Sequence, residues 1–205
     1  MFLLRTLLPD RPGSLGAVAT AMGSVGADIA AVEIVEKRAD SVIDDFMVEL
    51  PQGVQPDALV SAVTALQGVE VLWLSYYSQA WGLHGDVQLL EKMTDNPEQA
   101  SELLTNGAPE VFRSEWAVLL GRDGTVLYAT ELAPDLEPES IELLGPLNEA
   151  DAFELPVDWV PGWGATLVAR APLRDLRSTL VIGRHGGPNY AVSELARLRH
   201  LTAMV

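Results

Sequence analysis

Cysteine is absent from the 205-residue chain. Its absence excludes disulfides, thiolate nucleophiles, Cys-ligated zinc and iron–sulfur clusters, and it is compatible with a reducing compartment. Histidine is scarce: His84, His185 and His200 are scattered without the paired spacing of a transition-metal site, so no metal and no cofactor are expected. Basic side chains are the minority, 13 Lys and Arg against 29 Asp and Glu, for a formal net charge of -16. Phosphate backbones and anionic membrane surfaces are repelled by such a chain, and neither nucleic acid nor membrane is expected as a partner. Long apolar runs are also lacking, since charge interrupts them within about ten residues, where a spanning helix needs roughly 20. The apolar start, Met1 to Leu8, has no basic leader or small-residue cleavage site and reads as a first strand of a cytoplasmic protein.

What is present suits folding: 48% hydrophobic and 20% charged positions, enough for one large domain or two small ones. Phe2 to Leu8 reads as a strand buried on both faces and stops at Pro9-Asp10-Arg11-Pro12-Gly13-Ser14. Leu15, Val18, Ala19, Met22 and Val25 then recur as one helix face, with Ser14 as its cap and Gly26 ending it in the left-handed conformation. Asp28 to Glu36 and Val42 to Leu50 read as strands joined by a polar turn at Lys37–Ser41. Pro56-Asp57 opens a second helix, Gly68 ends it, and Val69 to Tyr76 is a fourth strand. The order β-α-β-β-α-β predicts a ferredoxin-like sandwich: an antiparallel four-stranded sheet with both helices on one face. The other face, or a sheet edge, is a place for a second copy.

Leu7-Leu8-Pro9-Asp10-Arg11-Pro12-Gly13-Ser14-Leu15, a helix, and then Val25-Gly26-Ala27-Asp28-Ile29 resembles the ACT domain, a small regulatory fold that binds amino acids and related effectors. The resemblance covers residues 1–76. It implies an effector held between paired domains, by the loop after the first strand and by the start of a partner's second strand. Carried over, the ligand-binding residues are Asp10, Arg11, Pro12, Gly13, Ser14 and Leu15 on the loop and Ala27, Asp28 and Ile29 on the strand. The chemistry is consistent with this. Gly13 permits close backbone approach, N–H groups at a helix start receive a carboxylate, and Asp10 or Asp28 could accept an α-ammonium group. Many ACT domains have asparagine where this chain has Asp28; the carboxylate favours a ligand's ammonium end and repels its acid. The same residues also have purely structural uses, in shaping a turn, capping a helix and being solvated.

Tyr77 to Asp86 reads as a linker, and residues 87–205 as a second α+β domain. Asp86 caps a helix, Pro97 starts another, and Ala117–Leu120 and Thr125–Ala129 flank an Asp123-Gly124 two-residue turn. Glu131 to Asp151 reads as an acidic loop around a short helix near Ile141–Leu144. Strands at Leu167–Ala171 and Thr179–Gly183 and a helix at Val192–Met204 complete the domain. The stretch from Leu180 to Tyr190, followed by Val192-Ser193-Glu194-Leu195, resembles the carboxyl end of a GAF domain, another small-molecule sensory fold. Arg184, His185 and Gly186-Gly187 lack phosphate-loop spacing and suit an ordinary strand-to-helix connection; Trp159 and Trp163 suit a local core cluster.

No acid is paired with a base or nucleophile, Asp28 and Glu115 included, so an enzyme is not expected. Two functions remain. One is a homodimeric, non-enzymatic sensor of an amino acid or similar metabolite. The other is a ligand-free dimerisation scaffold that docks a protein partner through its acidic second domain.

Overall fold

The structure, a computed structural model, describes residues 1–76, 85–175 and 177–205. The chain is of mixed α+β class, with two antiparallel sheets in two units, Met1–Ala80 and Trp81–Val205. Of the expected linker, residues 77–84 lie outside the described residues.

In the first unit the elements run β1 (Phe2–Pro9), α1 (Ser14–Ser24), β2 (Asp28–Lys37), β3 (Ser41–Glu49), α2 (Pro56–Thr64) and β4 (Glu70–Tyr76). The sheet order is β2-β3-β1-β4, so β2 and β4 are edges. Register places Pro9 opposite Ser41 and Phe2 opposite Val48. Because strand side chains alternate, Leu4, Leu8, Val42, Phe46 and Val48 share one face. There they form a core with Val18 and Met22 of α1 and Leu59 and Val63 of α2, which places both helices on that side. On the helix-free face Leu3, Arg5, Asp45 and Met47 are buried within the single chain.

One sequence offset carries Pro9 to Pro51, Ser14 to Pro56 and Gly26 to Gly68, relating β1-α1-β2 to β3-α2-β4. Gly26 and Gly68 both have φ +79°. A β-carbon at Gly26 would lie 3.2 Å from Pro51 Cγ, and one at Gly68 3.2 Å from Pro9 Cγ. The glycine after each helix thus packs on the proline after the other half's first strand.

The second unit contains α3 (Gly85–Asp95), a 3₁₀ turn (Pro97–Gln99), α4 (Ala100–Phe112), β5 (Trp116–Gly121), β6 (Val126–Ala129), α5 (Pro138–Glu142), β7 (Asp151–Leu155), β8 (Thr166–Pro172), β9 (Ser178–His185) and α6 (Val192–Thr202). Its sheet runs β6-β5-β9-β8-β7. Ala117, Leu119, Ala169, Leu180 and Ile182 pack with α3, α4 and α6; the alternate residues Trp116, Val118, Val168 and Val181 pack with Leu144, Leu155 and Trp159 on the other face. Three details differ from the sequence reading. Asp86 lies inside α3, where its carboxylate meets Arg197 at 3.4 Å, rather than capping the helix. The β5–β6 connection is wider than a two-residue turn: Gly121 N–H donates to Thr125 O, and Gly124 is the residue there with positive φ, +84°. β7 falls where the acidic loop was expected to end, and it pairs with β8. Among the described residues no helix is long and apolar enough to cross a membrane.

Candidate functional site

The expected loop leaves β1 at Pro9 and is tied to the β2–β3 turn. Asp10 N–H donates to Asp40 O at 3.1 Å, and the Asp10 carboxylate meets Lys37 Nζ at 3.5 Å. Asp10 therefore anchors the loop. Arg11, Pro12 and Gly13 are exposed, and Leu15 keeps 43% of its surface. The helix cap is not Ser14: Gly13 is the N-cap residue, at φ +93°, and supplies no side chain, while Ser14 begins the helix. The Ser14 Oγ is buried without a hydrogen-bond partner among the described residues. Nothing lies within 4 Å of a β-carbon built on Gly13, so its glycine identity answers to backbone angle and an open approach. In the first turn of α1 the Ser14 N–H donates to Arg11 O at 3.2 Å and the Ala17 N–H to Gly13 O at 2.9 Å, which leaves the Leu15 and Gly16 N–H groups without an intrahelical acceptor, as at any helix start.

Ala27, Asp28 and Ile29 lie elsewhere. Ile29 is opposite Val48 and Asp28 opposite Glu49, at the Phe2 end of the sheet, whereas the loop emerges at the Pro9 end. At about 3.4 Å per residue along β1, roughly 24 Å separates the two. One copy of the chain does not bring the two groups together. Asp28 is exposed and sits directly across from Glu49, so that edge is doubly acidic.

Sequence reasoning missed the acids inside β3. Asp44 and Asp45 are 3% and 0% exposed. Being consecutive in a strand, they point to opposite faces. Asp45 accepts from Arg5 Nε at 2.7 Å and from Arg5 Nη2 at 2.8 Å, a forked pair across the β1–β3 ladder. Asp44, on the helix side with Thr6 and Ile34 as strand neighbours, has no hydrogen-bond partner for Oδ1 among the described residues. Burial first, then the charges of Asp45 and Asp10, push its carboxyl above the usual range, and Lys37 offsets this only in part. The signal was available: two successive acids in a strand that is otherwise apolar at Val42, Ile43, Phe46, Met47 and Val48.

In the second unit the residues singled out earlier are structural. Arg184 is fully buried; its Nη2 donates to Phe112 O at 2.9 Å and Glu194 Oε1 at 3.1 Å, and it lies 3.8 Å over the Tyr190 ring. Glu194 also accepts the Ala191 N–H at 2.7 Å at the start of its own helix, and its pairing with Arg184 ties α6 to β9. Burial raises the Tyr190 phenol, whose oxygen is 2.7 Å from Ser114 Oγ. Trp159 and Trp163 pack with Trp116, Trp116–Trp159 stacked at 6.0 Å. A β-carbon at Gly183 would strike the Trp116 ring at 2.0 Å, so that glycine admits the indole. Glu115 accepts the His185 N–H at 2.9 Å. Among the described residues no group of three or more His, Asp or Glu is placed to hold a metal.

No family model matches the chain. Over 95 residues it is 33% identical to NAD-dependent malic enzyme 1 of Bacillus subtilis (strain 168), a stretch that takes in 44% of this chain and 22% of the enzyme. The chain thus matches about a fifth of that relative's length. A solved structure of an unknown protein from Galdieria sulphuraria aligns with 89% of this chain and 79% of its own, at 14% identity and a TM-score of 0.32, too loose a likeness to carry an argument.

Proposed function

We propose that the chain is a non-enzymatic sensor, with an ACT-like first unit and a GAF-like second unit, in which an amino acid or related metabolite is bound between two copies. The observation that carries this reading is the separation of the two expected half-sites. The loop Asp10–Leu15 and the strand start Ala27–Ile29 occupy opposite ends of one sheet, so a site using both needs a second copy. The β2 edge supports that arrangement: Val32 is 40% and Ile34 57% exposed on this edge strand. The helix-free face suits a second copy less, because its central residues are already buried. The first unit's strand order supports the ACT-like reading, and helices on one sheet face with a long connector on the other support the GAF-like one. The 95-residue stretch shared with a malic enzyme has the length of a small domain, which fits a module carried by different proteins.

The test is sedimentation of the purified protein together with thermal unfolding against the twenty amino acids. A dimer stabilised selectively by one chemical class supports the sensor. A ligand at 100 times its Kd adds about 2.7 kcal/mol, several degrees for a protein of this size. A dimer indifferent to every compound supports the scaffold reading, and a monomer that binds none overturns both.

A further inference from the structure

The second unit carries an open cavity of about 640 Å³, within the size range of small-molecule sites. Three segments distant in sequence build it: the connector before β7 with Asn148 and Glu149, the residues after β8 with Leu173 and Arg174, and the last turn of α6 with Arg199 and Thr202. Its walls are tied in place. The Arg174 N–H is shared between Thr202 O at 3.2 Å and Val205 O at 3.1 Å, which joins the β8–β9 connection to the end of α6. Leu173 N–H donates to Ser178 O at 2.9 Å across the same connection. On the third side the Glu149 carbonyl accepts from Arg170 Nε at 3.1 Å. A site whose walls are already ordered binds without the cost of arranging them.

Charge distinguishes this cavity. The chain has 13 basic side chains against 29 acids, so a cation has many acids with which to pair. In the second unit Arg170 meets Asp151, Arg177 meets Asp175, Arg184 meets Glu194 and Arg197 meets Asp86. Arg174 and Arg199 have no ion pair among the described residues, although Glu149 lines the same cavity. Arg199 alone is explained by its place in the last turn of α6, where carbonyls favour a cation. Arg174 is not, because it comes from the β8–β9 connection and its own backbone N–H already serves Thr202 O and Val205 O. Both side chains are exposed and reachable from solvent. A guanidinium presents a fixed fork of donors that matches the oxygens of a carboxylate or phosphate.

We propose that this cavity is an anion site of the second unit and that its ligand is a small polycarboxylate, with one carboxylate at Arg174 and another at Arg199. Glu149 sets the class, since it opposes charge concentrated on a single phosphate more than the same charge divided between two carboxylates. The site uses no residue of either half-site in the first unit and does not depend on amino-acid binding there.

The experiment is calorimetry and thermal unfolding of the full chain with succinate, citrate and inorganic phosphate, all at one ionic strength held with sodium chloride. It compares the wild type with Arg174→Gln, Arg199→Gln and Glu149→Gln; the three side chains are exposed, so the variants are expected to fold. Expected is saturable binding of at least one of the two polycarboxylates by the wild type, weaker by about tenfold or more in each arginine variant, as follows from removing a charged hydrogen-bond donor. Glu149→Gln is expected to strengthen phosphate binding more than polycarboxylate binding. No binding of either polycarboxylate, or binding undiminished in either arginine variant, overturns the proposal. Phosphate bound by the wild type as tightly as the polycarboxylates overturns the assignment of the ligand class. Any amino-acid response of the first unit is expected to be unchanged in these variants, so the two readings fail separately.

Discussion

The halves β1-α1-β2 and β3-α2-β4 of the first unit share a scaffold and differ in what they attach to it. Pro9 and Pro51, Gly26 and Gly68, and the starts of α1 and α2 correspond under one offset, and a β-carbon placed on either glycine would lie 3.2 Å from the other half's proline. The connections after β1 and β3 do not correspond in chemistry. The first is Asp10-Arg11-Pro12-Gly13; the second is Gln52-Gly53-Val54-Gln55, with no charge. Both contain a positive-φ glycine, Gly13 at +93° and Gly53 at +89°. Under the offset Gly13 falls on Gln55, which caps α2 at φ −85°, so neither the backbone angle at the cap nor an ionisable, exposed approach to the helix start is shared by the halves. Positions that match are explained by folding, and those that do not are where function is to be sought.

The largest break in the correspondence is charge on the helix-free face. The offset relates Arg5 to Met47 and Asp45 to Leu3, so a buried ion pair occupies a pattern that is otherwise apolar. Asp45→Ala takes from Arg5 its forked carboxylate and is expected to cost about 3–5 kcal/mol in chemical denaturation. Arg5→Met combined with Asp45→Leu restores the apolar pattern and should recover most of that loss, because buried pairs exchange for packed apolar groups at little cost. A double variant as unstable as the single one would show that the pair contributes more than mutual compensation.

Gly26→Ala and Gly68→Ala test the shared scaffold. Each forces a side chain into the left-handed region and toward a proline ring, at about 1–2 kcal/mol, and the two denaturation midpoints should fall equally. Unequal losses would mean that the halves are alike in outline only. Gly13→Ala and Gly53→Ala should also match in stability, at about 1 kcal/mol each, since neither β-carbon meets a neighbour. They should part in calorimetry, where Gly13→Ala alone weakens amino-acid binding.

The smallest expected effect is a pH dependence. Asp44 has its carboxyl raised in the folded state, by burial first and then by Asp45 and Asp10. The folded protein therefore holds that proton more tightly than the unfolded chain, and stability falls as pH rises through the folded-state titration. Against Asp44→Asn, the wild type should be favoured most in acid and lose ground toward neutrality, read as the difference between two Tm–pH curves. Parallel curves would show that the charge on Asp44 is compensated in the free protein.

Much of this was legible along the chain. Prolines and glycines mark both connections and both helix ends in the first unit, and alternation in Phe2–Leu8 and Val42–Leu50 marks strands whose residues are buried as expected. The Trp159-Trp163 segment reads as a cluster and packs as one, but its third member, Trp116, comes from a distant strand that local pattern cannot link to it. Ser14 looked like a cap because serine before an apolar helical run usually is one. Gly13, at positive φ, takes the N-cap position, so the helix begins one residue earlier, at Ser14. Asp44 and Asp45 were visible as two acids, but their division into a paired and an unpaired member depends on which face each points to and on Arg5 arriving from another strand.

Composition by itself determined that disulfide and thiolate chemistry are closed to this chain and that its net charge is acidic, because these follow from which groups are present. Local periodicity and turn residues determined the element order of the first unit, since backbone angles are set within a few residues. Tertiary structure alone decided that the loop at Asp10–Leu15 and the strand start at Ala27–Ile29 lie at opposite ends of one sheet, and that Asp44 is buried with an Oδ1 that has no hydrogen-bond partner among the described residues. Register and facing are agreements between segments far apart in the chain, and no stretch of sequence contains them singly.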